Sequence, residues 1–265
     1  MILSASGFPT LIYSCAEIKG NISSPEQKSS KPQKCIKIKV GTYNIAHCRE
    51  TDCDPRTIAN DIMAQDLDIV GIQEVDRLCA RSRFIDTPEL LSEYTGYHYA
   101  YSKSINLTGD TQKYGKEGEY GTLILSKHPI LEQKTVIIES AGYEQRSLGY
   151  ARLDVDGVAV DFFNTHLSFE SSDIRSIQFS QVARHIENSE YCIITGDFNV
   201  DKLEEFDAIP LSKINNKKTA IVTFPKGELT IDNIYYSCNM ASVSHSVVNT
   251  DHSDHYMLIA ELETA

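Results

Sequence analysis

Short β-rich runs joined by tight turns, with helical runs between them, most restrict the fold of this chain. From residue 35 onward these runs alternate apolar and polar side chains or are continuously apolar, as in strands with one or both faces buried. The segments predicted as strands are CIKIKVGTYNI, LDIVGIQEV, GTLILS, LEQKTVIIE, LGYARLDV, GVAVDFFNTHL, YCIITGDFNV, IDNIYYS and HYMLIAEL. The DGVA turn between LGYARLDV and GVAVDFFNTHL predicts a hairpin.

Helix signals lie between these strands. DPRTIANDIMAQ begins with an Asp cap and a proline in the first turn, and it places Ile58 and Ile62 on one face. TPELLSEYTG is predicted as a short helix closed by Gly96, and SSDIRSIQFSQVARHIEN as a capped amphipathic helix. Hairpin-linked strands with interspersed helices indicate an α+β fold, in which helices cover antiparallel sheets.

The composition favours one large domain and argues against a broad nucleic-acid-binding face. At 265 residues and 41% hydrophobic content the chain can bury a sizeable core, and only residues 16–35 have the composition of a linker. We therefore predict a domain over 35–265, preceded by an N-terminal extension over 1–34. The formal net charge of −12 disfavours a basic face for phosphate backbones, although a bound divalent cation would offset negative charge locally.

The cysteines and the N terminus leave the localisation open between cytoplasmic and exported. The seven cysteines form no CxxC pair and no zinc-finger spacing, so structural zinc is not expected. The first residues lack the basic start of a signal peptide and are too few to span a bilayer. LIYSC nevertheless resembles the end of a bacterial lipoprotein signal, with Cys15 carrying the lipid; the alternative is a disordered extension. In an exported chain, Cys48 and Cys53 are candidates for a disulfide.

Polar side chains recur at the ends of the apolar strands, where a rigid strand can hold them around one cleft. A single residue of this kind is most simply a turn cap, but here the pattern repeats along the chain. Carboxylates and amides are oxygen ligands suited to Mg²⁺ or Mn²⁺, and a histidine with an Asp partner is an oriented acid or base. The combination predicts metal-assisted hydrolysis of a phosphate ester. The residues concerned are Asn44, Glu74, His166, Asp197, Asn199, Asp232, Asp254 and His255.

Seven motifs in a fixed order resemble those of the endonuclease/exonuclease/phosphatase superfamily, which includes deoxyribonuclease I, apurinic endonucleases, neutral sphingomyelinases and inositol polyphosphate phosphatases. The motifs are VGTYNI, DIVGIQEVD, EYGTLILSKHPI, FNTHLSF, ITGDFNVD, TIDNIYYS and HSDHY, and the resemblance covers residues 36–262. QEVDR followed by RSRFIDTPELLSEYTGYHYAY is most similar to small bacterial-type metal-dependent hydrolases of this group. The resemblance implies a four-layer α/β/β/α sandwich of two mixed, mainly antiparallel sheets, with the cleft at one edge.

The resemblance also implies a metal site. Glu74 is the expected principal ligand of Mg²⁺, or alternatively of Mn²⁺. Asn44 is expected beside the metal, and Asp254 is expected to bind or orient on the metal side. His47, three residues past Asn44, is within reach of the metal but is interpreted as packed or solvated, and His252 is interpreted as a neighbour of the site.

The catalytic roles come from the same resemblance. Asp197 is expected to orient or deprotonate the attacking water, and Asn199 to hold a phosphate oxygen. His255 is the expected acid/base residue, oriented by Asp232. His166 is expected to contact the phosphoryl oxygens and to stabilise the charge that builds on them.

Two further residues have sequence neighbours that compete for the same role. Glu119 is expected to orient His166, although Glu117 lies only two residues away. Arg146, in YEQRSLGYARL, matches a phosphate-contacting arginine seen in several members of the superfamily. Arg152 competes for that assignment, but its place in a strand favours the surface.

Loops between the motifs choose the substrate in such folds, so we rank the candidates rather than name one. A phosphodiesterase ranks first, a nuclease acting on DNA or RNA second, and a phospholipid or phosphoinositide hydrolase third; phosphomonoesters remain open. The chain contains no Trp and shows no apolar loop for a membrane surface, so membrane insertion is not expected. We expect a monomer. A catalytically inactive binding protein of the same fold is the alternative from another class.

Overall fold

Two six-stranded sheets form the body of the domain in the computed structural model, which describes residues 35–107, 115 and 117–264. The first sheet has the order β11-β12-β1-β2-β4-β3 and the second the order β5-β6-β7-β8-β10-β9. The first contains β1 (Lys37–Asn44), β2 (Ile69–Arg77), β3 (His98–Leu107), β4 (Gly118–Ser126), β11 (Met240–Val248) and β12 (Met257–Thr264). The second contains β5 (Ile130–Ile138), β6 (Arg146–Val155), β7 (Val158–His166), β8 (Cys192–Asp197), β9 (Ser212–Lys213) and β10 (Asp232–Tyr236).

Each sheet is antiparallel apart from one parallel pair, β1 with β2 and β7 with β8. A parallel pair needs a crossover connection, and helices α1 (Pro55–Ala64) and α3 (Ser172–Ile186) supply these crossovers. Helix α2 (Thr87–Thr95) follows β2 and ends at Gly96, whose φ of 72° is the left-handed conformation typical of a helix C-cap. The predicted helices and the mixed sheets are therefore present.

Three apolar clusters separate the layers. The central cluster lies between the sheets and includes Val40 and Ile124 from the first sheet with Phe162 and Ile193 from the second. A second cluster packs α1 and α2 on the outer face of the first sheet, and a third packs α3 on the outer face of the second. This arrangement is the expected four-layer α/β/β/α sandwich.

A buried amide joins the two sheets near the middle of the core. Asn164, on β7, donates from Nδ2 to the backbone carbonyls of Ile72 and Leu123 at 2.9 Å and 3.0 Å. Its Oδ1 accepts from Gln73 Nε2 at 2.7 Å and from Thr195 Oγ1 at 3.1 Å. Because this buried side chain has its donors and its acceptor satisfied, it fixes the position of one sheet on the other.

The strands that the sequence patterns did not predict are β3, β9 and β11, and each lies at an edge of its sheet. Edge strands bury less apolar surface and carry more polar side chains, which weakens their hydrophobic pattern. The predicted β6–β7 hairpin is present, and its turn places Asp156 and Gly157 at positive φ, as a two-residue hairpin loop requires.

Three sequence predictions concern the N-terminal extension, a disulfide and membrane insertion. The extension over 1–34, including Cys15, lies outside the described residues. Cys48 and Cys53 are close enough for the Cys53 N–H to donate to the Cys48 carbonyl at 2.9 Å, but their thiols are free. Over the part of the chain that the structure describes, no helix is both long and apolar enough to cross a bilayer.

Candidate active site

The polar strand ends gather at one edge of the two sheets. The carboxyl ends of β1 and β2 lie together because these strands are parallel, and the same holds for β7 and β8. β10 and β12 run antiparallel to their neighbours, which brings their first residues to the same edge. In the register of the second sheet, Asp197 pairs with His166 on one side and with Asp232 on the other.

Asn44 connects the two sheets across this edge. Its Nδ2 donates to Glu74 Oε1 at 3.1 Å and to Asp197 Oδ2 at 3.0 Å. The Ala46 N–H donates to Asn44 Oδ1 at 3.0 Å, which fixes the orientation of the amide. Asn44 therefore lies beside Glu74, the expected metal ligand, and its hydrogen bond orients that carboxylate.

Glu74 is aimed by an irregularity in its strand. The pairing of β2 with β4 shifts register between Ile72 and Val75, and Glu74 itself has a φ of 56°. A bulge of this kind redirects a side chain, and a left-handed non-glycine residue is a form of strain that concentrates at functional sites. The Glu74 side chain is 26% exposed, so one face of its carboxylate is open to the cleft.

The ionisation of Glu74 suits a hard cation. Burial alone would raise the pKa of this carboxyl, but His47 and the Asn44 amide outweigh burial and hold the pKa well below its usual range. The group is therefore ionised at neutral pH. An ionised carboxylate with an open face, near a second acid at Asp197, fits the sparse oxygen coordination typical of Mg²⁺.

His255 and Asp232 form a buried hydrogen-bonded pair. His255 Nδ1 lies 2.9 Å from Asp232 Oδ2, and His255 Nε2 lies 3.6 Å from Asp197 Oδ2. Burial lowers the pKa of His255, but the charge and hydrogen bond of Asp232 overcome this effect and raise the pKa to about 10. At neutral pH the ring is therefore an imidazolium whose Nε2–H faces Asp197.

Asp197 has the opposite tendency to Glu74. Burial and the neighbouring charge of Asp232 raise the pKa of Asp197 above its ordinary value of 3.8, while His255 and the Asn44 amide oppose the rise. A carboxylate whose pKa lies nearer to neutrality is a better proton acceptor than an ordinary aspartate. Asp197 is thus suited to accept a proton at physiological pH.

His166 is held in a neutral state. Its Nδ1 lies 3.1 Å from Arg146 Nη1; because a guanidinium can only donate, Nδ1 is the acceptor and the ring proton is on Nε2. Burial and then the positive charge of Arg146 keep the pKa of His166 well below its ordinary value. His166 Nε2 lies 3.5 Å from Asp197 Oδ2 and 3.0 Å from Asn199 Nδ2. Asn199 Nδ2 is itself a donor, so in this tautomer it hydrogen-bonds the Leu167 carbonyl at 3.0 Å rather than the ring. The two histidines thus face Asp197 in different protonation states.

The structure corrects the prediction for Glu119. Its carboxylate lies 3.7 Å from Arg77 Nη1 and 3.5 Å from Lys103 Nζ, while both ring nitrogens of His166 have the other neighbours described above. Glu119 lies after the β2–β4 bulge, opposite Arg77 in the strand register, which directs it to that arginine. It therefore does not orient His166.

Arg146 is the arginine that points into the site. It is 3% exposed, and its Nη1 donates to Glu144 Oε1 at 2.6 Å as well as contacting His166. Its buried Nε has no hydrogen-bond partner among the described residues. Arg152, the competing residue, lies at the surface and pairs with Asp161 at 3.5 Å.

The metal-capable groups that lie closest together differ from the predicted ligand set. Among the described residues, ligand atoms of Asp197, Asp232 and His255 lie within 4.8 Å of one another. We interpret this group as acid/base machinery, because His255 Nδ1 and Asp232 Oδ2 already hydrogen-bond to each other at 2.9 Å. Asp254, expected on the metal side, is outside this group, and its Oδ2 accepts from Arg49 Nη2 at 3.0 Å.

Two histidines given no role by the sequence have clear positions. His252 forms a hydrogen bond from Nδ1 to Asp61 on α1 at 2.9 Å, away from the catalytic pair. His47 lies beside the site, with Nδ1 3.6 Å from Glu74 Oε2. The only sequence signal for His47 was its distance of three residues from Asn44.

Comparison with known proteins gives one family. A family model described as the Endonuclease/Exonuclease/phosphatase family matches residues 41–255. No curated protein matches the chain significantly.

Similar solved structures include an endonuclease/exonuclease/phosphatase from Beutenbergia cavernae DSM 12333, with 23% identity, a TM-score of 0.72 and coverage of 86% of this chain and 72% of that chain. Mannosyl-6-phosphatase Bt3783 from Bacteroides thetaiotaomicron VPI-5482 has 19% identity, a TM-score of 0.62 and coverage of 85% and 99%. D. rerio TDP2 complexed with single strand DNA product has 16% identity, a TM-score of 0.65 and coverage of 86% and 99%. At these identities the likeness establishes the fold.

Proposed function

Because the chain belongs to the endonuclease/exonuclease/phosphatase family, whose members are phosphoric ester hydrolases, we propose that its cleft hydrolyses phosphodiesters with the help of Mg²⁺. The observation that carries this proposal is the arrangement of two histidines around one buried aspartate, with His166 Nε2 and His255 Nε2 each within 3.6 Å of Asp197 Oδ2. The surroundings raise the pKa of His255 and lower the pKa of His166. Groups whose pKa values are pushed apart in this way are typical of paired catalytic acids and bases.

Each side chain has a role in the proposed reaction. Asp197 accepts a proton from the attacking water, since its raised pKa makes it an effective base. The imidazolium of His255 donates from Nε2 to an oxygen of the reacting phosphate, and Asp232 keeps it charged. His166 donates from Nε2 to a phosphoryl oxygen, and Asn199 lies within reach of the same oxygen.

Glu74 is the residue that would hold the cation, oriented by Asn44. When bound, Mg²⁺ supplies charge stabilisation for the phosphoryl oxygens. Glu74 stays ionised without an arginine or lysine partner among the described residues, so its charge is available to a cation.

The charge of the cleft favours a diester over a monoester. The arginines at the site are already neutralised, Arg146 by Glu144 at 2.6 Å and Arg49 by Asp254 at 3.0 Å. A diester carries one negative charge at the reacting phosphate, whereas a monoester carries nearly two at neutral pH, so a monoester requires more positive charge than these pairs leave.

Single-stranded nucleic acid is the second candidate substrate. Tyr143 and Phe169 are 54% and 65% exposed, and each is three residues from a site residue, Arg146 and His166 respectively. Exposed aromatic side chains beside a cleavage site can stack on unpaired bases. The acidic net charge of −12 argues against a long duplex.

Hydrolysis of bis(p-nitrophenyl) phosphate tests the proposal, with p-nitrophenyl phosphate, single-stranded DNA, RNA and phosphoinositides as the comparison panel. We expect Mg²⁺-dependent cleavage that EDTA abolishes, and a loss of about 10²–10⁴-fold in kcat for His255→Gln and for His166→Gln. His98→Gln, at an exposed position on β3, is the matched control and should retain full activity. No hydrolysis of any ester with any divalent cation would instead favour a binding protein.

A further inference from the structure

We infer that His47 is a nitrogen ligand of the cation held by Glu74, and that this ligand makes the site prefer Mn²⁺ over Mg²⁺. The inference rests on the proposed function, since it requires a cation at Glu74. It assigns a role to a residue for which neither the sequence motifs nor the comparisons give one.

The distance between the two side chains fits a shared ion better than a hydrogen bond. His47 Nδ1 lies 3.6 Å from Glu74 Oε2, which is beyond the normal range for an N–H···O contact. Two ligand atoms that each lie about 2.1 Å from one ion are about 3 Å apart at a right angle and about 4 Å apart when opposite. The observed separation falls between these values.

Among the described residues, Glu74 is the one carboxylate with which the His47 ring pairs. Their separation is long for a hydrogen bond, although the proximity lowers the pKa of Glu74, and the His47 side chain is only 17% exposed. A mostly buried ring held at this distance from its carboxylate neighbour leaves space for an ion that both groups bind. The carboxylate nearest to its Nδ1 is that of Glu74, the proposed metal ligand.

The backbone around His47 is built to hold this position. Ala46, His47 and Cys48 have φ values of 44°, 46° and 59°, a run of left-handed residues without glycine. Such conformations persist only where the surroundings impose them, and here Ala46 and Cys48 are buried. The Ala46 N–H also donates to Asn44, the residue that orients Glu74, so one amide positions both proposed ligands.

The donor set then determines which cation fits. Mg²⁺ and Mn²⁺ both suit oxygen ligands, but Mn²⁺ is a transition-metal ion and tolerates an imidazole nitrogen better than Mg²⁺ does. The other predicted ligands do not make up an all-oxygen cage, because Asn44 Oδ1 accepts from Ala46 and Asp254 is paired with Arg49. A Glu/His pair therefore favours Mn²⁺.

Electron spin-echo spectroscopy of the Mn²⁺-loaded full chain tests the inference directly, because a coordinated imidazole gives ¹⁴N modulation. We expect ¹⁴N modulation in the wild type that changes on ¹⁵N-histidine labelling and disappears in His47→Asn. Asn is chosen because it tolerates left-handed backbone, and circular dichroism checks the fold. His98→Asn, at an exposed position, is the matched control and should keep the signal.

Calorimetric titration supplies a second measurement. His47→Asn should weaken Mn²⁺ binding by about tenfold or more and Mg²⁺ binding by much less, since only Mn²⁺ gains from the nitrogen. Glu74→Gln should weaken both.

The outcomes separate this inference from the proposed function. If Mn²⁺ binds in a Glu74-dependent manner but shows no ¹⁴N modulation, or keeps it in His47→Asn, the role of His47 is refuted while the cation site stands. If Mn²⁺ binds without needing Glu74, or does not bind, the cation site and the role of His47 both fail. Should His47→Asn not fold, absence of ¹⁴N modulation in the wild type still refutes the inference.

Discussion

Replacing Asp232 by Asn should shift the pH dependence of hydrolysis rather than lower the rate equally at every pH. Burial lowers the pKa of His255, but Asp232, with added help from Asp197 and Asp254, raises it from 6.5 to about 10, so the wild type keeps its imidazolium at mildly alkaline pH. The sign follows from the role of His255: activity that requires the protonated ring is present below its pKa and is lost as the pH rises through it.

The size of the effect follows from the same pKa. If the pKa of His255 returned to its ordinary value, the imidazolium fraction at about pH 8.5 would fall to about 1%, a loss of about 100-fold. At about pH 6 most rings would remain protonated, so the loss from this cause would be less than about twofold. Asp232 also raises the pKa of Asp197, so the acidic limb of Asp232→Asn should move to lower pH.

Profiles of kcat/KM against pH on bis(p-nitrophenyl) phosphate measure both limbs. Asp61→Asn is the matched control, because Asp61 forms a His–Asp pair of the same length, 2.9 Å, with His252 outside the catalytic pair. Its limbs should stay where they are in the wild type. The assignment of His255 as the cationic donor would be refuted if Asp232→Asn lowered kcat/KM at every pH but left the alkaline limb where it is in the wild type.

Three other substitutions test different parts of the structure. Glu74→Gln should raise the apparent Mg²⁺ dissociation constant by at least about tenfold, measured by calorimetry, because it removes the charged ligand; unchanged affinity would place the cation elsewhere. Glu144→Gln should lower KM for a diester by about threefold or more with little change in kcat, because it removes the 2.6 Å ion pair and leaves Arg146 free to bind the phosphate. A higher KM would mean that Glu144 assists binding. Asn164→Leu should reduce the free energy of unfolding in urea by about 2–4 kcal/mol, because two buried carbonyls of the first sheet lose their donor from the second sheet; a change below about 1 kcal/mol would contradict the bridging role.

The sequence predicted the interior of the fold because buried strands and amphipathic helices carry strong periodic signals. It missed β3, β9 and β11, whose edge positions leave them with polar side chains and little apolar alternation. The sequence also did not predict the register of β2 against β4, since the pairing of Arg77 with Glu119 depends on the bulge between Ile72 and Val75.

The site residues were named because they follow apolar strands whose ends meet at one edge. The neighbours of His166 could not be inferred in this way. Its contact with Arg146 joins side chains on the neighbouring strands β6 and β7, and sequence spacing does not show which side chains meet across two strands. His47 was also inaccessible to pattern, since its position depends on consecutive left-handed residues for which no glycine gives a signal.

The pairing of β12 with β1 has a consequence for biosynthesis. These strands come from opposite ends of the described domain, with Lys37 opposite Glu263, and β12 lies inside its sheet between β11 and β1. A chain still emerging from the ribosome therefore lacks an internal strand of the first sheet until Met257–Thr264 has left the exit tunnel, and contacts so distant in sequence form slowly. Since His255 lies just before β12, catalytic competence should appear only after this segment has emerged, and a nascent chain truncated before it should be inert towards phosphate esters.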